Sequence, residues 1–419
     1  MNGKGQVGQD NIVFICQADV FTGDQSHVTL ENETIYQEDS LNITGAPELV
    51  YQGTLANNSQ IILEQADFDV TTLEKTTYYL VYHYKNNGNQ DNQQGLTFSG
   101  TISVRIINEK IPLATEYITS LASTSNELVY DETTDNNLRY IGTDPNNYVD
   151  IGDRYENDIY YGFTSENNTY LVYNSEEECR NASSYNLNCT KIHNAGDIIL
   201  WRIIGVMNNI DDGTGTRTTR LKIIRDELYS TVKSWDINDI NNWSSSSLQE
   251  EFNTDYLDSI ANLSKEMIEN AVWHLGGAPS NSNLTSTFYT SERGTTVYTE
   301  RPITWTGKIG LMYPSDYGYA TSGGSNIDRD TCLSYNLGDW NNYSDCYNND
   351  WLYNSSYYQW TLTPHSTASD TVFYVLHDGY VYADYVHYMI GVSPALYLSS
   401  NVKIIRGTGS SSDPYVLSL

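Results

Sequence analysis

Residues 197–226, DIILWRIIGVMNNIDDGTGTRTTRLKIIRD, hold the most apolar run of the chain, a polar break rich in Gly, Asp and Thr, and a second apolar run. Continuous apolar residues bounded by turn signals predict a central strand over the first run, a turn over NNIDDGTGTRTT and a partner strand in RLKIIRD. Two helices are expected next. Ser247-Leu-Gln-Glu250 has the pattern of a capping box opening the first. Residues 264–275 place Met267, Ile268, Ala271, Val272 and Leu275 on one helical face and end at Gly276-Gly277, which predicts the second. Short strands and loops then return, and the clearest local signal is a hairpin over 372–382. There Phe373 and Val375 alternate before His377-Asp378-Gly379, Tyr380 and Tyr382 follow, and Asp-Gly supplies the positive φ angles of a tight turn.

Upstream, apolar and alternating runs at 11–20, 59–70, 78–84 and 96–107 are separated by Asn/Gly/Asp-rich breaks. That pattern predicts an N-terminal β-sandwich spacer over 1–110, with 111–126 as a linker. A second domain is expected over 127–419, carrying an Asn- and Tyr-rich insertion at about 153–196. The class is α+β and β-rich.

The chain has 419 residues, with 53 Asp plus Glu against 22 Lys plus Arg, a net charge of −31. So acidic a surface repels phosphate backbones and anionic lipid, which disfavours nucleic-acid and bilayer-surface roles. Tyrosine is abundant, 36 copies against 8 Phe, beside much Asn, Ser and Thr. That mixture suits a recognition surface, because a Tyr ring gives contact area at low entropy cost and its hydroxyl tolerates water. It suits a plain β-rich exoprotein equally. Of the five cysteines, Cys179 with Cys189 and Cys332 with Cys346 bracket short polar loops and lack zinc-ligand spacing. Two local disulfides and an oxidising, extracellular compartment are expected, with Cys16 left as a buried thiol. The N-terminus MNGKGQVGQDN has no apolar signal core, so an anchor or signal preceding Met1 and since trimmed is the expected route to a membrane.

The run NDWLYNSSYYQWTLTP at 349–364, then VFYVLHDGYVY, then GVSPALYLSSNVKIIRGTGSSSDPYVL resembles the C-terminal module of surface proteins from gut-dwelling Firmicutes and related bacteria. That module has a C-type-lectin fold of the formylglycine-generating-enzyme type. The family pattern is roughly Trp-Leu-x-x-Pro, a Tyr- and Asn-rich hairpin, then Gly-Val-Arg-Pro-Ala. Trp360, Thr361, Leu362, Thr363 and Pro364 stand at the first, and Gly391, Val392, Pro394 and Ala395 at the last, with Ser393 in place of Arg. LRYIGTDPNNYV, WRIIGVMNNIDDGTG and TWTGKIGLMYPSDYGYATSGGS also resemble the group, so the likeness covers 127–419. It implies a C-type-lectin-like ligand-binding domain with two helices and short twisted strands.

Some proteins with this module are diversified by retroelements at adenines of codons that cannot encode Glu, Lys, Gln, Trp or Met. Residues 365–390 contain none of the first four and one Met, Met389. The implied ligand-binding residues are His365, Thr367, Ser369, Asp370, Tyr374, His377, Tyr380, Tyr382, Asp384, Tyr385, His387 and Tyr388. Alternation puts Tyr380 and Tyr382 on one strand face with Val381 opposite, while Trp351 and Trp360 are expected in the core.

Motifs for other chemistry are missing from the sequence. The Glu-Pro-Asn, Gln-Pro-Asp and Trp-Asn-Asp calcium-ligand tripeptides do not occur, and Asp211-Asp212-Gly213-Thr-Gly215 reads as a solvated turn. There is no GxSxG, HExxH or P-loop, and the histidines do not cluster at metal spacing. The resulting expectation is an extracellular, surface-displayed binding protein, not an enzyme, needing no cofactor. Its partner would be a protein or glycan on a host, microbial or phage surface. A pilus or biofilm-matrix subunit and a formylglycine-generating-enzyme-like or carbohydrate-active enzyme stand as the alternatives.

Overall fold

The computed structural model describes residues 11–22, 35–36, 74–85, 111–164, 169–181 and 189–419. The chain divides into two units, Met1–Glu109 and Lys110–Leu419. In the first, strand Asn11–Thr22 runs antiparallel to Glu74–Lys85, in register from Asn11 opposite Lys85 to Thr22 opposite Glu74. The short strand Ile35–Tyr36 pairs with the opposite edge of Asn11–Thr22. The further strands expected at 59–70 and 96–107, and with them the completed sandwich, lie outside the described residues, as does the side chain of Cys16.

The second unit is built on the stretch quoted first. Strand Trp201–Asp211 pairs antiparallel with Arg217–Arg225 on one side and with Leu138–Tyr140 and Tyr148–Asp150 on the other. Trp201, Ile203 and Ile223 are fully buried, so this pair is the centre of the main sheet. The sheet extends through Ala395–Tyr397 to Ile309–Gly310 at one edge, and through Tyr415–Ser418 to Lys403–Arg406 at the other. A second sheet runs in the order Ser230–Lys233, Ile390–Val392, Gln359–Pro364, Thr371–Val375, Val381–Tyr385, so the last strand lies at an edge. The insertion forms its own three-stranded sheet, Thr169–Tyr173, Ile159–Thr164 and Cys189–His193. With several short helices between these sheets, the described structure is β-rich and mixed α+β.

Residues 111–126 are not a linker. Ala114–Leu121 is a helix whose Ala114 and Ile118 enter the core, each at most 1% exposed. The Glu116 carboxylate accepts the Leu113 N–H at 3.1 Å, and Ala114 N–H donates to Val402 O at 2.7 Å, fastening the helix to the unit. Ile118→Ala is expected to cost the second unit about 2–5 kcal/mol, because the vacated space is enclosed. Urea unfolding followed by tryptophan fluorescence checks this cleanly, since all eight tryptophans lie beyond residue 200.

The two-helix expectation also changes. The first helix starts one residue early: Ser246 Oγ accepts from Gln249 N–H at 3.2 Å, while Ser247 Oγ accepts from Ile237 N–H at 3.1 Å. The helix Ser247–Glu251 runs into a π-turn, Phe252–Tyr256, and buries Leu248, Phe252 and Tyr256 at four-residue spacing. The second is helical only over Asn262–Met267, and Ala271–His274 is a strand. Ala271, Trp273 and Leu275 are buried, while Val272 and His274 are half-buried, a period of two in place of 3.6. Trp273 decides it by pairing opposite Trp305 and donating from Nε1 to Gly307 O at 3.1 Å. Further helices at Thr285–Glu292 and Pro314–Tyr319 were not anticipated; the second is buried at every position and so lacks any amphipathic signal.

Candidate functional site

The hairpin foreseen at 372–382 forms between strands Thr371–Val375 and Val381–Tyr385, with Val375 opposite Val381. Leu376 N–H donates to Tyr380 O and Gly379 N–H to Leu376 O, leaving His377, Asp378 and Gly379 as a three-residue loop. Only Gly379 takes positive φ, +87°, so this is a turn followed by a left-handed glycine, not a two-residue Asp-Gly turn. A side chain at Gly379 would also strike the ring of Tyr347, whose helix Ser344–Tyr347 carries one end of the Cys332–Cys346 disulfide. Both expected disulfides, Cys179–Cys189 and Cys332–Cys346, are formed.

Along the hairpin, Val372, Phe373, Val375 and Val381 are buried, and Trp360 is fully buried beside them. Trp351 also lies in the core. Tyr374, expected on the surface, is 6% exposed. Its ring meets Trp360 at 5.5 Å and Tyr358 at 5.8 Å, both edge-on, because the pairing of Trp360 with Tyr374 puts both side chains on one face. Burial pushes the Tyr374 hydroxyl up, with Asp384 adding to it.

Tyr382, Tyr385 and Tyr388 are exposed by 43–45%. Tyr380 is half-buried and meets Tyr382 edge-on at 6.3 Å, so these two do share a face, with Val381 turned inward. His377 is exposed and stacks on Tyr358 at 4.9 Å. Tyr385 stacks on His387 at 5.6 Å, and Tyr388 meets both rings edge-on. Two aromatic groups result, one around Tyr382 near the turn and one around Tyr385 at the base.

Asp384 and Asp370 are half-buried, and Asp384 Oδ1 accepts the Tyr385 N–H at 2.9 Å. Thr367 is exposed and Ser369 half-buried. His365, half-buried, lies nearly parallel to Phe373 at 5.6 Å; burial lowers its pKa. Spacing did not point to Tyr358 or Asp239. Tyr358 lies before the segment singled out. Asp239 reaches it from a distant loop, 2.5 Å from His387 Nδ1, with Asp236 holding the loop through the N–H groups of Asn238 and Ile240.

The scaffold holds this segment by its main chain. Tyr317 Oη donates to Gly379 O at 2.7 Å, Tyr353 Oη to His377 O at 2.6 Å and Thr361 Oγ1 to Phe373 O at 2.7 Å. Asn241 Nδ2 donates to Ala368 O at 2.8 Å and Thr371 O at 3.0 Å, and Trp235 N–H to Val386 O at 2.8 Å. None of these bonds depends on the identity of the hairpin side chain.

Next to Tyr317 in the chain, Asp316 belongs to a buried ionic network. Asp316 binds Arg139 Nη1 and Lys222 Nζ, each at 2.5 Å, and Arg139 Nε binds Asp131 at 2.9 Å, all four side chains at most 2% exposed. Burial opposes the charge on Asp316, but Lys222 and Arg139 outweigh it and hold the carboxyl well below its usual range. Asp316 Oδ2 also accepts the Tyr313 N–H at 2.9 Å, capping the helix that presents Tyr317 to the hairpin turn.

Nearby Glu292 is fully buried and accepts from Ser315 N–H at 3.0 Å and Arg293 Nη1 at 3.2 Å. Burial pushes its carboxyl up to about 6, against the pull of Arg293 and Ser315. With the folded value above the ordinary 4.5, this group's stabilisation is complete below that pH and is lost as pH rises through about 6. Glu292→Gln has no such loss, so its stability relative to wild type is expected to rise by about 2 kcal/mol between roughly pH 4 and pH 7.5. Urea titrations at the two pH values measure it.

Among the described residues, no group of three or more His, Cys, Asp or Glu is placed to hold a metal ion, and no helix is long and apolar enough to cross a membrane. One small cavity, lined by residues including Trp235, Trp243, Arg301 and Pro364, holds about 10 Å³, room for about one water. Compared with family models, curated proteins and solved structures, the chain matches none.

Proposed function

We propose that the second unit is a C-type-lectin-like ligand-presenting domain displayed on the outside of a bacterial cell. In this reading the segment 365–390 binds a protein or glycan on a host, microbial or phage surface, and the N-terminal unit is a β-sandwich spacer. One observation carries it. Among the described residues of the second unit twelve tyrosines are buried, so tyrosine abundance alone says little, but five are exposed: Tyr130, Tyr358, Tyr382, Tyr385 and Tyr388. Four of the five gather at the hairpin. Rings left half in water on a held backbone suit recognition, since they add contact area with little entropy left to lose.

Two further features support it. Main-chain anchoring leaves the outward side chains free to differ, as a diversified binding segment requires. The two short-loop disulfides suit an oxidising compartment. Binding would rest on stacking and hydrogen bonding, without covalent chemistry.

The test is to screen the purified full chain against arrays of immobilised glycans and extracellular proteins, beside the variant Tyr382→Ala/Tyr385→Ala/Tyr388→Ala. Each ligand bound by the wild type is expected to lose at least about 100-fold in affinity. A variant that keeps the wild-type set of ligands would overturn the proposal.

A further inference from the structure

Resting on that reading, we infer that the face around Tyr382 takes a cationic segment of a partner protein, with an Arg or Lys side chain laid on the Tyr380 and Tyr382 rings and paired with Asp384 and Asp378. Charge complementarity points to this occupant. No Lys or Arg occurs between Arg329 and Lys403, so the segment that builds the face brings carboxylates and rings without a cation. In the five strands of this sheet the one cation is Lys233, on the edge strand opposite Val381–Tyr385, and it is bound to Glu251 at 2.7 Å. Besides burial, the groups acting on the Tyr380 hydroxyl are Asp378, Tyr358 and Tyr382. His377 stacks on Tyr358 at the rim of this cluster.

Elsewhere this unit fills the same combination of ring and carboxylate with a cation of its own. Arg202 lies 4.1 Å from the Tyr148 ring centre and pairs with Asp144. Arg293 lies 3.5 Å from Tyr289 and pairs with Asp135 and Glu292. Lys222 lies 4.2 Å from Tyr313 and pairs with Asp316. A cation over a tyrosine face is held by the ring quadrupole, and adjacent carboxylates strengthen the hold. At the hairpin the rings and carboxylates recur; among the described residues no Lys or Arg pairs with Asp378 or Asp384, and the nearest ring nitrogen, His377 Nδ1, lies 4.0 Å from Asp378 Oδ1. A neutral glycan would gain nothing from the charge, and an anionic one would be repelled.

The test uses a fluorescent dodecapeptide of alternating Arg and Gly and its counterpart with uncharged citrulline for Arg, titrated against the full chain. Tyr380→Ala/Tyr382→Ala leaves net charge unchanged and is expected to weaken the Arg peptide at least tenfold. Asp384→Asn is expected to weaken it about fivefold. Asp258→Asn, at an exposed site far along the chain, makes the same charge change and is expected to weaken it less than twofold. The citrulline peptide is expected to show no dependence on the rings. Tryptophan fluorescence and melting confirm that each variant is folded. Equal losses from Asp384→Asn and Asp258→Asn, or no loss from the ring variant, would mean diffuse attraction to an acidic protein and overturn the inference. If Tyr380→Ala/Tyr382→Ala abolishes binding to an array glycan while leaving the Arg peptide untouched, the partner is a glycan: the cationic assignment fails and the recognition face stands. If it abolishes neither, the cationic assignment fails, and the recognition face fails with it when Tyr382→Ala/Tyr385→Ala/Tyr388→Ala also keeps the wild-type ligands.

Discussion

Asp316→Ala is expected to destabilise the second unit by about 3–5 kcal/mol, because it leaves Lys222 in the core without a carboxylate partner and Arg139 with Asp131 alone. The desolvation already incurred by both cations is then offset by half of its former partners, and the Tyr313 N–H loses its cap. Asp316→Asn restores the cap but not the charge, so it should recover at most about 1 kcal/mol of the loss. Urea unfolding followed by tryptophan fluorescence reads both. The sign with pH is opposite to that of Glu292. A carboxyl held below its ordinary value of 3.8 stabilises above that pH and loses the contribution as pH falls through its folded value. The gap between wild type and Asp316→Ala is therefore expected to narrow on acidification. Function follows through geometry, since the helix that Asp316 caps carries Tyr317, whose hydroxyl holds the hairpin turn at Gly379 O.

Tyr374→Ala is expected to cost about 3–5 kcal/mol, against about 0.5 kcal/mol or less for Tyr382→Ala, although the two residues face each other across the hairpin. Tyr374 is enclosed by Trp360 and Tyr358, and its removal opens a cavity that a strand paired on both sides cannot close. Tyr382 sits on the edge strand and touches its neighbours through ring edges alone. Paired denaturation curves give the contrast directly. Equal costs would mean that the outer ring is core as well.

Local signals carried the sequence reading wherever neighbours along the chain decide the structure. Continuous apolar residues around Ile203 and Ile223 marked the central strand pair, the alternation of Phe373 and Val375 marked the hairpin, and short spacing marked both disulfides. The signal failed where a distant partner decides. Ala271, Val272 and Leu275 satisfy a helical period, yet Trp273 pairs with Trp305 and pulls the segment into a strand. Residues 111–126 look loop-like until Ile118 meets the core. Tyr374 and Tyr382 are alike in sequence; strand order alone makes one interior and the other edge. In the candidate site, the hairpin and most of its exposed rings were legible, whereas Tyr358 and Asp239 enter through folds of the chain that no spacing encodes.

Tyrosine nitration of the folded full chain, mapped by peptide mass spectrometry against an unfolded control, tests the central claim most directly. Tyr382, Tyr385 and Tyr388 are expected to react at rates approaching the control, while Tyr374 and Tyr317 stay protected. Protection of the first three to the same degree as Tyr374 would contradict the account, leaving no open aromatic face for a partner to meet.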